Sequence, residues 1–390
     1  MMGWGPAARG NGGTGPDRVW DGRAPARSMD VNEPNFGRLV RTIVRGVIAV
    51  ALTAPASTPA REPTPPPPAP KRDAGLVWTQ ESHSGPLLRS GAVLVYDSKR
   101  RVSVLFGGAN YHRRLDDTWV WDGRIWSERS AGGVIPGLWS ASGAYDSLRD
   151  RVVVFGGAER GSGLNDATFE FDGTTWAKVE CEGPGTRNHL WQMAYDSRRG
   201  RVVLFGGSRI YEVDDDIVGT PPEADTWEWD GRAWRQVASG GPPPSASYGI
   251  AFDSARGVTV MLVVGAEGGA FGETWEWDGA AWRFAANSGP RREIVASMRM
   301  VYDSDRRVVV SVGCRWDLKE PEFETWEWDG VEWRELDLDP EPDPRGIYQA
   351  TYDEARGRLV VVGGYSRTPE GEAGEVWELG KRESMDGLRP

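Results

Sequence analysis

Three histidines (His83, His112, His189) and two cysteines (Cys181, Cys314) are all the imidazole and thiol chemistry this chain has. The cysteines lie far apart with no zinc-type spacing. No Ser-His-Asp set, HExxH pattern or phosphate-cradling glycine loop accompanies them. No catalytic residue, metal site or cofactor is predicted on these grounds. Carboxylates are plentiful, and "YEVDDD" (211–216) is the densest run. It lacks the glycine and the terminal glutamate of an EF-hand loop, so calcium is a weak reading beside solubility or a basic partner. A third set is periodic. Gln192, Arg299 and Gln349 each stand three residues before an aromatic-Asp pair, and Arg89, Trp191, Tyr248, Arg345 and Tyr348 fall in the segments around them. Arginine and glutamine beside aromatics suit a sugar or a carboxylate, and they equally suit the hydrogen-bonded lining of a water-filled channel.

What positions these residues is a repeat. Tyr96, Tyr145, Tyr195, Phe252, Tyr302 and Tyr352 each precede Asp, with a period near 50 that marks a repeat architecture. Each copy reads as four short strands. An apolar run ends in Tyr-Asp, and a β-branched run such as "RVVLFGG" (201–207) follows a turn. After a variable loop comes "TWEWDG", then a strand opening on Trp. In "TWEW" the two tryptophans share one sheet face, with Thr and Glu on the other. Asp-Gly is a strong hairpin signal because glycine tolerates positive φ. A four-residue turn would set Trp229 opposite Trp234. The Gly-Gly after strand two predicts a sharp bend or a close backbone approach.

The sixth copy ends at "EVWELGKRES" (375–384) without a Trp-bearing last strand. Trp78 lies 18 residues before Tyr96, matching the 18 to 20 residues by which each last-strand Trp precedes the next aromatic-Asp pair. The expectation is an all-β, six-bladed β-propeller of four-stranded antiparallel blades over 76–380, the last blade closed by the N-terminal strand around Trp78. Fifteen of the twenty tryptophans occupy repeat positions and read as framework.

The Gly-Gly after strand two, the aromatic pair that follows and the Trp opening strand four resemble Kelch repeats. The resemblance covers residues 76–380, with departures at "VVGA" (263–266) and "VGCR" (312–315). It implies a propeller, and it spans protein-binding platforms, sugar-modifying enzymes and the central domain of galactose oxidase. The copper-radical site of that oxidase has no counterpart here. Acid–base chemistry by carboxylates, or by Arg and Gln as in Kelch-like sialic-acid epimerases, is left open.

Charge is uneven. Residues 1–77 hold 10 Lys/Arg and 6 Asp/Glu, a net +4, whereas the remainder holds 36 against 51, a net −15. A body that acidic repels nucleic acid. Residues 1–37 read as an unstructured or mis-called extension, with Met29 the more natural start and residues 1–28 ahead of it. Residues 38–60 resemble an export signal: Arg38, Arg41 and Arg45 precede an apolar run too short for a permanent span of ~30 Å. Residues 61–75 are a proline-rich linker and 381–390 a tail. In each blade the loops between strands two and three and between blades emerge at one end, and the former run from 8 to 18 residues. Variable loops on a rigid scaffold carry binding. The chain is therefore expected to be a secreted or envelope-located monomer that binds a protein or glycan on its loop face without catalysis. The alternative is a carbohydrate-active enzyme at the polar mouth of the channel.

Overall fold

Each Asp-Gly pair closes the same hairpin. Asp122, Asp172, Asp230, Asp278 and Asp329 each accept two backbone N–H bonds of 2.8–2.9 Å from the residues two and three ahead. The glycine that follows takes φ of 92–98°, a conformation that costs a side-chain-bearing residue dearly. Residues either side of the turn come face to face: Trp121 with Trp126, Trp229 with Trp234, Trp277 with Trp282 and Trp328 with Trp333. Their rings sit 5.4–5.7 Å apart with planes 36–42° apart, tilted rather than stacked.

The computed structural model describes residues 71–72 and 75–381, apart from 82–84, 111–112, 130–133, 160–162, 188, 209, 214–215, 221–222, 245–246, 265–270, 291–297, 316–320, 345 and 366–374. The export-like segment, most of the linker and nearly all of the tail lie outside the described residues, as do His83, His112 and Arg345. Among the described residues there is no helix, and none long and apolar enough to cross a membrane. Six sheets carry four antiparallel strands each. Their first strands are Val93–Asp97, Ser142–Asp146, His189–Asp196, Ser247–Asp253, Arg299–Asp303 and Gly346–Asp353. Each first strand lies beside the next, and the sixth lies beside the first. The fourth strand of the sixth sheet is Leu76–Glu81, paired antiparallel with Val376–Lys381. A two-residue strand, Lys71–Arg72, adds parallel to the outer edge of the fifth sheet.

Gly-Gly pairs follow strand two in the first two sheets, at Gly107-Gly108 and Gly156-Gly157, and lie within its last residues in the third and sixth, at Gly206-Gly207 and Gly363-Gly364, all with positive φ. A Cβ on Gly107 would lie 2.8 Å from the Leu138 carbonyl oxygen, which is the close approach the doublet signals. The fourth and fifth sheets lack the doublet, and their second strands are Val258–Val264 and Val308–Arg315.

The apolar core is divided among the gaps between neighbouring sheets. One cluster joins Phe155 and Met193 to Trp229 and Trp234 across the second and third sheets. Another joins Trp121 and Trp126 to Val360 and Val376 across the sixth and first. Both faces of every sheet are thus covered, and the Thr and Glu of "TWEW" are buried rather than solvent-facing: Thr226 is 0% and Glu228 8% exposed. They take up indole N–H groups from the next sheet. Trp176 donates to Thr118, Trp234 to Thr168, Trp282 to Thr226 and Trp333 to Thr274 at 2.7–3.0 Å, and Trp78 to Thr325 at 3.4 Å. Trp229 donates to Glu170, Trp277 to Glu228 and Trp121 to Glu378.

At the turn end, an arginine three residues after each aromatic-Asp pair's Asp bonds back to it. Arg149, Arg199, Arg256, Arg306 and Arg356 do so while also pairing with Glu170, Glu228, Glu276, Glu327 and Glu378 of the same sheet. The first sheet has Val120 in place of this glutamate, and Arg100 reaches instead to Asp150 of the second sheet.

Candidate functional site

Loops between strands two and three and between successive sheets share one end of the molecule. Arg89 is buried there, 2% exposed. It grips Asp117 through both terminal nitrogens, at 2.5 and 2.9 Å, and donates to the Gly107 and Leu87 carbonyls. Burial alone would raise the Asp117 carboxyl, but Arg89 and a 2.8 Å bond from Trp119 hold it below its usual range. Arg187 repeats the arrangement on Asp225, the Gly206 carbonyl and the Pro184 carbonyl. These arginines therefore fasten an inter-sheet loop to a Gly-Gly bend and to the start of strand three. The signal was present in the sequence: Arg187 stands at nearly the same offset before Tyr195 as Arg89 before Tyr96. Arg345 shares that offset but lies outside the described residues.

The acidic loops divide the same way. Asp117, Asp225, Glu273, Glu324 and Glu375 each accept the indole N–H of the tryptophan two residues on. They are framework acids. Asp116, Glu223 and Glu322 are exposed. In the third sheet the long loop folds into a hairpin of its own, Ile210–Val213 with Asp216–Gly219.

Tyr248 and Tyr348, placed by the spacing around the channel mouth, are each only 3% exposed. Tyr248 meets Phe205 edge-on at 5.5 Å and donates its hydroxyl to the Pro243 carbonyl. Tyr348 meets Phe323 in the same way and bonds the Asp343 carbonyl. Both rings serve the core. Trp191 pairs with Gly206 on the third sheet's first strand.

Gln192, Arg299 and Gln349 do come together. Gln192 Nε2 donates to the Tyr248 carbonyl at 2.6 Å and reaches past it to the Met298 carbonyl of the fifth sheet at 3.3 Å. Gly249, the intervening position on the fourth sheet, has no side chain to bar the way. Arg299 Nη1 donates to the same Met298 oxygen at 2.9 Å, and its Nε to Gln349 Oε1 at 3.2 Å. Burial lowers the Arg299 guanidinium to about 10, so it stays cationic at neutral pH. Among the described residues no group of three or more His, Cys, Asp or Glu is placed to hold a metal ion.

No protein-family profile matches this chain, and no curated protein matches it. Solved structures do. The structure titled "Structure of YjhT" superposes with a TM-score of 0.54 at 12% identity, over 76% of this chain and 95% of that one. Together with the repeated four-stranded sheets, that likeness decides the architecture. The chain has a β-propeller-type fold. At so low an identity the match speaks of fold alone.

Proposed function

We propose that this is a six-bladed, Kelch-like propeller, closed by its N-terminal strand and exported, which binds a protein or glycan through its loop face. The pairing of Leu76–Glu81 with Val376–Lys381, and the contact of the sixth first-strand with the first, support six blades in a ring. Arg38, Arg41 and Arg45 before the apolar run support export. The observation that carries the binding role is the contrast between the ends: turn-end loops are uniform and closed by paired charges, whereas one loop-end segment has grown into the hairpin at 210–219. An elaboration that the ring does not need is free to serve recognition. The test is a glycan array and a thermal-shift panel run on the full chain and on a variant with 210–219 replaced by a short glycine-serine turn. Loss of a bound ligand at unchanged melting temperature supports the reading. A ligand indifferent to the replacement counts against it.

A second reading, a carbohydrate-active enzyme at the channel mouth, draws on the Gln192–Arg299–Gln349 cluster. Sugar turnover that survives Arg299→Ala together with Gln349→Ala would dismiss it.

A further inference from the structure

Most arginine charge that the fold fixes in turns and loops is matched: Arg89 by Asp117, Arg187 by Asp225, Arg100 by Asp97 and Asp150, and the other turn-end arginines by an Asp and a Glu each, while the loop residue Arg114 bonds the Glu159 backbone carbonyl. Arg299 breaks the pattern. It projects from the fifth sheet's first strand, is partly buried, and has no carboxylate partner among the described residues; its bonds go to the Met298 carbonyl and the Gln349 amide oxygen. The second break is next to it. Gln349 is 7% exposed and its Nε2 has no hydrogen-bond partner among the described residues. The amide cannot be reversed to cure this, since a guanidinium only donates and so requires Oε1 to face it. A buried N–H without an acceptor and a desolvated cation without a counter-charge are both costly. A water molecule would satisfy the amide but leave the charge.

We propose that the propeller axis holds a small monovalent anion, bound by the free N–H groups of Arg299 and by Gln349 Nε2. Its chemistry is one negative charge on a compact acceptor, whether a halide or the carboxylate of an organic acid. The inference is independent of the loop-face reading. It deepens the channel reading by naming the charge of what that site takes, and it requires no turnover.

The full chain is melted at pH 6.5 in sodium MES at constant ionic strength, with chloride, bromide, formate or acetate substituted in steps. A saturable rise in melting temperature of several degrees is expected. It should vanish in Arg299→Gln. Gln349→Glu supplies an internal carboxylate, so that variant should melt as high without added anion as the parent does with it, and should respond to none. In crystals grown with bromide, anomalous density should lie beside the Arg299 guanidinium. Response to halide and formate alike assigns a free inorganic anion. Response to formate and acetate alone assigns an organic carboxylate. No saturable response in the parent, or an equal one in Gln349→Glu, overturns the site, and would do so even if sugar turnover depended on Arg299.

Discussion

Two seams between sheets, built from the same repeat, differ in how fully they are stitched. Between the second and third sheets, Trp234 donates to Thr168 at 2.8 Å, Trp229 donates to Glu170, and Arg149 lies over Gly231 where a Cβ would meet its Nε at 2.4 Å. Between the sixth and first, Arg356 covers Gly123 in the same manner and Trp121 donates to Glu378. But Val376 stands where the repeat has threonine, and the buried Trp126 Nε1 has no hydrogen-bond partner among the described residues. The seam between the first and second sheets shows the opposite response to a lost residue. Val120 replaces the acceptor glutamate there, and Phe171, which has no N–H to satisfy, replaces the donor tryptophan. The paired loss leaves no orphan there and the single loss at Val376 does, while between the fourth and fifth sheets Trp328 Nε1 lacks a partner among the described residues although Glu276, paired with Arg256, stands at the acceptor position. An indole N–H is thus the quantity each seam must account for, because a buried donor without an acceptor costs ~1–3 kcal/mol.

The strongest challenge to this picture is at Trp78, 1% exposed and packed edge-on to Phe323 at 5.7 Å. It comes from the opposite end of the chain to the sheet it completes. Trp78→Ala should cost ~3–5 kcal/mol by urea titration, and a loss under ~1 kcal/mol would mean that the N-terminal strand contributes little. A finer test makes the good seam like the poor one. Thr168→Val orphans Trp234 and should cost ~1–3 kcal/mol, while Val376→Thr offers Trp126 an acceptor and should add about 1 kcal/mol. If the two substitutions change stability in the same direction, the stitching account fails. A pH test concerns the fifth sheet, whose seam with the sixth has the longest of these bonds, Trp78 to Thr325. Burial, then Glu335, Asp337, Glu324 and Glu322, push the Glu341 carboxyl up to about 8. A raised acid binds more protons folded than unfolded, so stability is fully present below its ordinary 4.5 and is lost as pH rises toward 8. Melting temperature should fall over that window, and Glu341→Gln should flatten the fall.

Much of the architecture was legible because its signals are local. An Asp-Gly turn determines its hairpin within four residues, and the period near 50 counts the copies. The tryptophans read as framework for the same reason. The site was less legible. Arg89, Tyr248 and Tyr348 carry the residue types of a binding mouth, yet their partners are Asp117, Phe205 and Phe323, none adjacent in sequence. The alternation in "TWEW" likewise reads as one face in and one face out. Where a sheet is packed against a neighbour on each side both faces are in, and Glu228 ends beneath Trp277 of the following sheet.

From the sequence alone came the all-β class, the repeat, the hairpin registers and the candidate Arg and Gln positions near the axis. All of these rest on short-range sterics or on periodicity. The tertiary structure alone decided which carboxylates are spent on indoles and arginines, which seam leaves an N–H unmatched, and that Arg299 meets Gln349 with no acid between them. Those outcomes depend on which groups of different strands and sheets are brought together, and hydrogen bonds and ion pairs form only where such groups come within about 3 Å.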